Sequence, residues 1–288
     1  MKLLTFIDLI LYKIISRINL NFNSKSEVIN FKSNDKFTFP SIDVVLPLVK
    51  KDLNTVKYVV KSLKSYSLNP IRNIYIVSPL DPEIIKYCED SSFIFIDENL
   101  VCPLNNSQIE KIIENSSRIG WIKQQLIKLN SNNINGISEY FLILDSDTVI
   151  TKEQFFLCND FTVLKFSDEY HFMYQLSKNY ILKICQLNRR SFITHHQVVK
   201  KEYLRELQLH IELSHNDFWP NIFLKAAFKF NLFVSEYELY GNFVYKFYPK
   251  SVRKQYWFNK NIFYSDFENM EDFISNDKNH SVSFHNYQ

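Results

Sequence analysis

The sequence predicts an α/β protein in which a mostly parallel β-sheet is flanked by helices. The first observation is that short apolar runs alternate with segments of helical periodicity between residues 42 and 144. The second is that residues 141–144 are four consecutive buried-type residues, as expected of a central parallel strand. The resulting order β-α-β-α-β-α-β favours a parallel sheet, because each pair of parallel strands needs a crossover connection.

The elements follow one another with short connections. Strands are predicted at residues 42–46, 73–78, 92–98 and 140–144, and helices between them at residues 52–66, 81–88 and 120–130. The second half is less regular, with an extended segment expected at residues 191–199 and helices at residues 201–210 and 216–229. No linker divides the chain, so residues 41–288 are interpreted as one domain.

A helix and a polar linker precede this domain in residues 1–40. Apolar residues such as Leu3, Ile7 and Ile10 recur at helical spacing, which predicts an amphipathic helix about 30 Å long. Charged residues such as Asp8 interrupt the apolar stretch, so neither a cleaved signal peptide nor a membrane span is expected. The helix either docks on the domain or lies in the membrane interface.

The composition argues against several classes of function. The 288 residues include only three glycines, and neither G-x-G-x-x-G nor the P-loop motif G-x-x-x-x-G-K-[ST] occurs. The net charge of +3 is too small to indicate binding to nucleic acid. The four cysteines are far apart and form no C-x-x-C pair, which argues against zinc and disulfides and favours a reducing, cytoplasmic location.

Two carboxylates follow the apolar run at residues 141–144. Side chains alternate along an extended strand, so Asp145 and Asp147 are predicted to face the same small volume. Two carboxylates that close repel each other unless one is protonated or a cation lies between them. The pattern therefore indicates either a divalent metal, Mg²⁺ or Mn²⁺, that carries a phosphorylated substrate, or a solvated strand-to-loop turn.

Four sequence blocks together resemble one protein family. They are VVLPLVKKDLNTVKYVVKSLKSY, GWIKQQLIKL, FLILDSDTVI and SEYELYGNFV, and they lie within residues 40–250. In this order they resemble bacterial GT-A-type glycosyltransferase-like proteins of surface-polysaccharide loci, a largely uncharacterised domain family. The resemblance implies a GT-A-like, Rossmann-like fold. It also implies a metal-dependent transferase that moves a sugar from a nucleotide-sugar donor, expected to be UDP-linked, to a glycan or lipid-linked glycan acceptor.

The resemblance also implies roles for individual residues. Asp147 is expected to bind Mn²⁺ or Mg²⁺ directly, Asp145 to reach the ribose or a metal-bound water, and His285 to be a third ligand, with His280 as the second candidate. Further contacts with the donor are expected from Pro47, Leu48, Lys51, Asp97, Glu98, Arg118, Gln124 and Gln125. The basic residues near the C-terminus serve either as counter-charges to the diphosphate or as contacts with an anionic membrane; they are Lys246, Lys250, Arg253 and Lys254.

A catalytic base must come from another segment. Glu236 in SEYELYGN is the first candidate for accepting the proton of the acceptor hydroxyl, and Asp217 in SHNDFW is the second. His195 and His196 alternate along an extended segment, so only one of them can face the site.

Two other functions remain open at this point. The segment DSDTV also fits the D-x-D-x-[TV] nucleophile motif of haloacid dehalogenase-type phosphatases, although no acidic pair follows it as that superfamily requires. A catalytically inactive glycosyltransferase fold that serves as a scaffold in polysaccharide assembly is the non-enzymatic alternative.

Overall fold

The computed structural model of this chain describes residues 37–113, 116–159, 161–186, 188, 190–263 and 279–285. The amphipathic helix predicted at the N-terminus lies outside the described residues. Within the ranges just given, no helix combines the length and the apolar character needed to cross a membrane.

Between residues 42 and 144 the strands and helices follow the predicted order, whereas the second half contains elements that were not predicted, among them the helices Phe172–Leu182 and Glu236–Phe247. The strands are β1 (Ile42–Pro47), β2 (Ile71–Ser78), β3 (Ile94–Asp97), β4 (Tyr140–Leu144), β5 (Thr148–Ile150), β6 (Leu157–Cys158), β7 (Phe161–Phe166), β8 (His196–Lys200), β9 (Val252–Tyr256), β10 (Asn259–Phe263) and β11 (Ser281–His285). The helices are α1 (Leu53–Tyr66), α2 (Pro82–Ser91), α3 (Glu98–Val101), α4 (Asn106–Glu110), α5 (Ile119–Leu129), α6 (Phe172–Leu182), α7 (Lys201–His215), α8 (Trp219–Lys229) and α9 (Glu236–Phe247).

A five-stranded sheet in the order β3-β2-β1-β4-β8 forms the centre of the fold. The pairs β1–β2, β2–β3 and β1–β4 are parallel, whereas β8 runs antiparallel to β4. In that last pair Leu144 lies opposite His196. The start of β8 therefore lies beside the carboxyl end of β4, at the edge of the sheet where ligands of open α/β folds bind.

Alternate residues of the central strands belong to two separate cores. Val45 and Phe141 pack in one core with residues of α5, α7 and α9, whereas Val44 and Leu142 pack in the other with residues of α1 and α2. The division follows from strand geometry, since successive side chains point to opposite faces. Both faces of the sheet are thus covered, and β1 is buried along its whole length, as expected of a central parallel strand.

Two small sheets extend the fold beyond the central one. They have the orders β10-β11-β5 and β6-β7-β9. In the first, β11 pairs antiparallel with β5, with Ser283 opposite Thr148. The backbone N–H of Phe284 donates to the carbonyl oxygen of Asp147 at 2.9 Å, so β11 lies directly beside the turn that contains the two carboxylates.

The predicted α/β class is confirmed, and two local expectations need correction. Strand β4 ends at Leu144, so Asp145, Ser146 and Asp147 form a turn between two strands rather than a continuation of β4. Glu236 was expected at the end of an apolar run, but it is the first residue of α9. Ser235 caps that helix, because its hydroxyl accepts a hydrogen bond from the Glu238 N–H at 3.4 Å.

The middle of α9 depends on a glycine. A Cβ added at Gly241 would overlap the side chain of Phe192, with the Phe192 Cβ only 2.7 Å away. We expect Gly241→Ala to lower the free energy of unfolding by about 1–3 kcal/mol, because overpacking a core forces neighbouring atoms to move. Urea unfolding followed by circular dichroism measures this change.

Gly120 in α5 provides the matched control, since no atom of the residues that the structure describes lies within 4 Å of the Cβ that alanine would add there. Gly120→Ala should leave the stability unchanged or raise it by up to about 1 kcal/mol, because alanine favours the helix. Equal effects of the two substitutions would contradict the packing of α9 against Phe192.

Candidate functional site

An open cleft of about 910 Å³ lies at the carboxyl ends of β1, β2, β3 and β4. It extends from Glu98, which follows β3, to His195, which precedes β8. Neighbouring strands are about 4.8 Å apart, so this span across the sheet is about 19 Å. We call the part lined by Pro47, Lys51, Pro79, Glu98 and Arg118 the β3 side, and the part lined by Glu169, Tyr174, Ile193, His195 and Val234 the β8 side.

A buried lysine joins the carboxylates at the middle of the cleft. The Lys128 side chain is 3% exposed, and its Nζ lies 2.5 Å from Asp145 Oδ1 and 2.7 Å from Glu236 Oε1. The hydroxyl of Tyr237 donates to Asp145 Oδ1 at 2.8 Å. These contacts bring together α5, the turn after β4 and the first turn of α9.

His195 holds the same aspartate from the β8 side. Its Nδ1 lies 3.2 Å from Asp145 Oδ2 and its Nε2 lies 3.0 Å from Glu169 Oε2. Its backbone carbonyl accepts a hydrogen bond from the Asp145 N–H at 3.0 Å. The φ of His195 is +61°, a left-handed conformation that is uncommon for residues other than glycine and that often occurs at functional sites.

The partners of these groups decide their charges. Burial alone would lower the pKa of Lys128, but the charges of Asp145 and Glu236 outweigh it and raise that pKa. Burial would raise the pKa of Asp145, but Lys128 and His195 lower it below the usual range. Burial would lower the pKa of His195, but Glu169 and Asp145 raise it well above 6.5. All three groups are therefore charged at neutral pH.

The side-chain amide of Gln125 is held at the middle of the cleft through its oxygen atom. Its Oε1 accepts a hydrogen bond from the backbone N–H of Glu236 at 3.2 Å. Its Nε2 is buried and has no hydrogen-bond partner among the described residues. An unsatisfied buried donor costs free energy, so a ligand atom that accepts from Gln125 would stabilise this part of the cleft.

A second pair of carboxylates lies beside this network. Asp52, in the turn Lys50–Asp52 after β1, accepts a hydrogen bond from the Ser146 hydroxyl at 3.2 Å. Burial, and then the charge of Asp147, raise the pKa of Asp52 to about 6. A cation near both carboxylates would offset this repulsion. Mg²⁺ is commonly held by one or two carboxylates together with phosphate oxygens of the substrate, so Asp52 and Asp147 fit such an ion.

The other predicted metal ligands have different surroundings. Asp145 is less suited to bind a metal, since both of its oxygens already contact Lys128, Tyr237 or His195. The described ranges contain no group of three His, Cys, Asp or Glu residues placed to hold a metal. His285 belongs to β11 beside the turn of Asp147, but its side chain lies outside the description.

Most of the residues predicted from the sequence meet in the cleft. Those that line it are Pro47, Leu48, Lys51, Glu98, Arg118, Gln124, Gln125, Asp145, Asp147, His195 and Glu236. Only one of the adjacent histidines faces the site, but His195 precedes β8 and has a left-handed backbone, so the alternation of an extended strand is not the cause. His196 is instead buried between Phe156 and Trp257, and burial together with the charge of Lys165 lowers its pKa to about 3.

Three predicted residues are not among those that line the cleft. Asp217 binds Lys225 at 2.6 Å and Asn221 at 3.1 Å at the start of α8, so its assignment as a catalytic base is corrected. Asp97 caps α3 by accepting from the N–H of Asn99 at 2.9 Å. His280 accepts from the N–H of Phe258 at 3.0 Å and packs against Trp257.

The basic residues near the C-terminus also lie elsewhere. Arg253 and Lys254 lie over the rings of Phe161 and Tyr245, and Lys246 lies over Phe247. These three residues and Lys250 are absent from the cleft lining, so a contact with the diphosphate is not supported for them.

Sequence reasoning missed several residues that line the cleft. Asp52 lies in the turn Lys50–Asp52 that follows β1, so its position near a strand end could have indicated it. Lys128 lies in the block GWIKQQLIKL, near the end of α5, and had no such signal. Glu169, Tyr174 and Tyr237 carried no such signal, because they reach the cleft only through the packing of α6, β8 and α9.

The raised pKa of His195 predicts a pH dependence of stability. Above pH 6.5 the folded protein keeps a proton that the unfolded chain releases. The contribution of His195 is complete below pH 6.5 and is lost as the pH rises through the folded-state pKa, at about 1.4 kcal/mol per pH unit. His195→Asn should lack this fall, and asparagine tolerates the left-handed backbone.

Urea unfolding in buffer with EDTA, at a series of pH values from about 6 to 9, measures the difference between the two proteins. The other histidines are present in both, so the difference reports on His195. Parallel stability curves would contradict a charged His195 in the folded state.

Several glycosyltransferases of known structure are similar to this chain. Mouse xyloside xylosyltransferase 1 in its apo form matches 85% of this chain and 97% of its own, with 10% identity and a TM-score of 0.45. The galactosyltransferase LgtC, solved with donor and acceptor sugar analogs, matches 85% of this chain and 87% of its own, with 10% identity and a TM-score of 0.47. GlyE of Streptococcus pneumoniae TIGR4 matches 86% and 55%, with 12% identity and a TM-score of 0.41. Similarity at this level assigns no substrate, reaction or residue role to this chain.

No curated protein matches the sequence. A family does match it, described as a family of unknown function (DUF6492), over residues 40–286. The matched span contains the whole central sheet and every residue of the cleft. The chain therefore belongs to the DUF6492 family.

Proposed function

We propose that this protein is a metal-dependent glycosyltransferase that moves a sugar from a nucleotide-sugar donor, in the first instance UDP-linked, to a surface glycan or a lipid-linked glycan. One observation carries the proposal. A D-x-D turn at the carboxyl end of a central strand faces a cleft long enough for a donor and an acceptor. The four sequence blocks that resemble GT-A-type enzymes support it, because three of them contribute residues at the middle of this cleft.

The β3 side suits the nucleotide diphosphate of the donor. Lys51 and Arg118 are exposed cations in this part of the cleft, and Arg118 lies 5.9 Å from the centroid of the Trp121 ring. Lys123 lines the same part, but its Nζ is bound to Glu98 at 2.7 Å. Cations beside a helix N-terminus favour phosphate groups, here at the start of α5.

The metal would be held by Asp147 and Asp52 beside the diphosphate. When bound, a divalent ion stabilises the negative charge that develops on the leaving nucleoside diphosphate. Asp145 is kept ionised and fixed in position by Lys128, His195 and Tyr237. From that position it would accept hydrogen bonds from hydroxyl groups of the donor.

Glu236 is the proposed base. Its Oε1 is bound to Lys128, which leaves Oε2 to accept the proton of the acceptor hydroxyl. As that O–H bond breaks, the acceptor oxygen bonds to the anomeric carbon, and the bond from this carbon to the phosphate oxygen breaks. The electron pair leaves with the nucleoside diphosphate, so atoms and charge balance.

We propose further that the protein acts in the cytoplasm, at the inner face of the membrane. Its four cysteines are free thiols, which fits a reducing compartment. The segment expected to contact the membrane is the N-terminal amphipathic helix, which lies outside the described residues.

The metal assignment predicts the behaviour of Asp147→Asn. Wild-type protein with UDP and Mn²⁺ should melt at a higher temperature than with either alone, because saturation at about 100 times the Kd adds about 2.7 kcal/mol. Asp147→Asn should lose the part of this shift that needs Mn²⁺ and keep the melting temperature of the ligand-free protein. Differential scanning fluorimetry measures both.

Asp217→Asn is the control, since this carboxylate lies at the start of α8 and not in the cleft. An unchanged Mn²⁺-dependent shift in Asp147→Asn would refute the metal assignment. If no nucleoside diphosphate shifts the wild-type protein, the inactive scaffold becomes the better account.

The base assignment predicts a different pattern for Glu236→Gln. Donor binding, measured by the same thermal shift, should stay close to wild type, whereas release of nucleoside diphosphate in the presence of acceptor should fall by about 10²–10⁴-fold. A panel of nucleotide sugars with Mn²⁺ supplies the substrates. Turnover at the wild-type rate would exclude Glu236 as the base, and Asp217→Asn should retain full turnover.

A further inference from the structure

We propose that the exposed face of α8 binds the surface of an anionic lipid bilayer. This inference rests on the proposed function and specifies how the enzyme meets an acceptor that is linked to a lipid. Three observations support it: the side chains on this face, the scarcity of acidic residues along the segments that form it, and its connection to the β8 side of the cleft.

One side of α8 is buried and the other faces solvent. Ile222, Phe223 and Leu224 pack in the same core as residues of α5, α7 and α9. The side chains that reach solvent recur at three- and four-residue intervals, so on a helix of 3.6 residues per turn they lie within an arc of about 100°. We call this stripe the α8 face; its members are Phe218, Asn221, Lys225, Phe228 and Lys229.

Large aromatic side chains lie open to solvent near both ends of the α8 face. Phe218, which precedes the helix, is 46% exposed, and Phe228 in its last turn is 62% exposed. Ten positions separate them, which corresponds to about 15 Å along the helix. Helices that lie in a membrane interface place such rings at the boundary between the headgroups and the acyl chains, and lysines on the adjoining polar side.

Three lysines lie around these rings. Lys225 and Lys229 belong to the α8 face, and Lys183 reaches it from the end of α6. The Nζ atoms of Lys183 and Lys229 lie 5.5 and 4.5 Å from the centroid of the same ring, that of Tyr180. Lys225 binds Asp217 at 2.6 Å, but its side chain is 54% exposed. The surface of a bilayer that contains anionic lipids attracts such a group of lysines.

Few acidic residues oppose these lysines. Residues 170–201, which include α6, contain no Asp or Glu, and neither do residues 218–235, which include α8. Besides Asp217, the carboxylate of Glu212 lies near the start of α8, where it accepts from the N–H of Trp219 at 3.4 Å. Interfaces between proteins are depleted of lysine, so the charge of this surface favours a bilayer over a second copy of the chain.

The C-terminal end of α8 leads directly to the cleft. Val234, which lines the β8 side, follows Lys229 by five residues, so the two are at most about 18 Å apart. Helix α6 makes the same connection, because Tyr174 near its start lines the cleft and Lys183 directly follows its end. With the α8 face on a bilayer, the sugars of a lipid-linked glycan can reach the cleft while the lipid stays in the membrane.

Co-sedimentation of the whole chain with vesicles tests this inference. The vesicles contain either phosphatidylcholine alone or phosphatidylcholine and phosphatidylglycerol in equal parts. We expect binding to the anionic vesicles that weakens as the salt concentration rises. The double variant Lys183→Glu with Lys229→Glu should bind them at least about tenfold more weakly than wild type, and Phe228→Ser should weaken binding as well. The N-terminal segment is the same in every variant, so the differences report on the α8 face.

Lys57→Glu with Lys61→Glu is the matched control. It makes the same change of net charge on exposed lysines of α1, which packs on the opposite face of the central sheet, and should bind nearly as wild type does. Phe228→Trp locates the contact directly, because brominated lipids should quench the added fluorescence. Leu100→Trp, at an exposed position of α3, should show no such quenching.

Equal binding of the two double variants, no lipid quenching in Phe228→Trp, or no vesicle binding by wild type would overturn the inference. So would a wild-type dimer in light scattering that Phe228→Ser converts to a monomer, because a second copy would then cover the α8 face. The thermal shift with UDP and Mn²⁺ should be the same in all variants, which also shows that they are folded. The proposed function fails separately, if wild-type protein shows no shift with UDP and Mn²⁺.

Discussion

The ion pair between Lys128 and Asp145 is the interaction on which the cleft depends. Lys128 comes from α5, Asp145 from the turn after β4, and Glu236, the second partner of the lysine, from the first turn of α9. A buried charge is tolerated only when it is paired, and loss of one partner typically costs 3–5 kcal/mol. The three elements are therefore held in one arrangement. Because α9 also carries Tyr237 to Asp145, the same pair fixes the shape of the middle of the cleft.

The pairing also distributes charge unequally along the cleft. Lys128 and His195 are close to carboxylates on the β8 side, whereas Lys51 and Arg118 are exposed on the β3 side. The exposed cations of the β3 side can thus attract an anionic group, whereas Lys128 and His195 are already paired with carboxylates. That asymmetry comes from where each cation is placed, with Lys128 near the end of α5 and Lys51 in the turn after β1, and not from the net charge of the chain, which is only +3.

The fold could be predicted because its signals are local. Buried runs such as residues 141–144 and the helical periodicity of residues 52–66 each depend on a few consecutive residues. The site could be predicted where a residue lies in the turn that follows a strand, as for Asp145, Asp147 and Lys51. The site could not be predicted where a neighbouring group in the fold already uses the side chain. Asp97 and Asp217 have the same side chain as Asp147, but a cap and a nearby lysine use their carboxylates. The contact of Lys128 with Glu236 joins residues 108 positions apart, and no sequence period reports it.

The strand β11 has a consequence for the order in which the site forms. Its Ser283 binds the side chain of Thr148 at a separation of 135 positions, and its Phe284 binds the backbone of Asp147. Contacts so distant in sequence form late in folding, because the chain between them must first be closed into a loop. During synthesis, the central sheet can assemble on the ribosome while the turn after β4 still has one unsatisfied edge. The carboxylates reach their final geometry only after β11 has emerged, so an incompletely synthesised chain has the sheet but not the finished site.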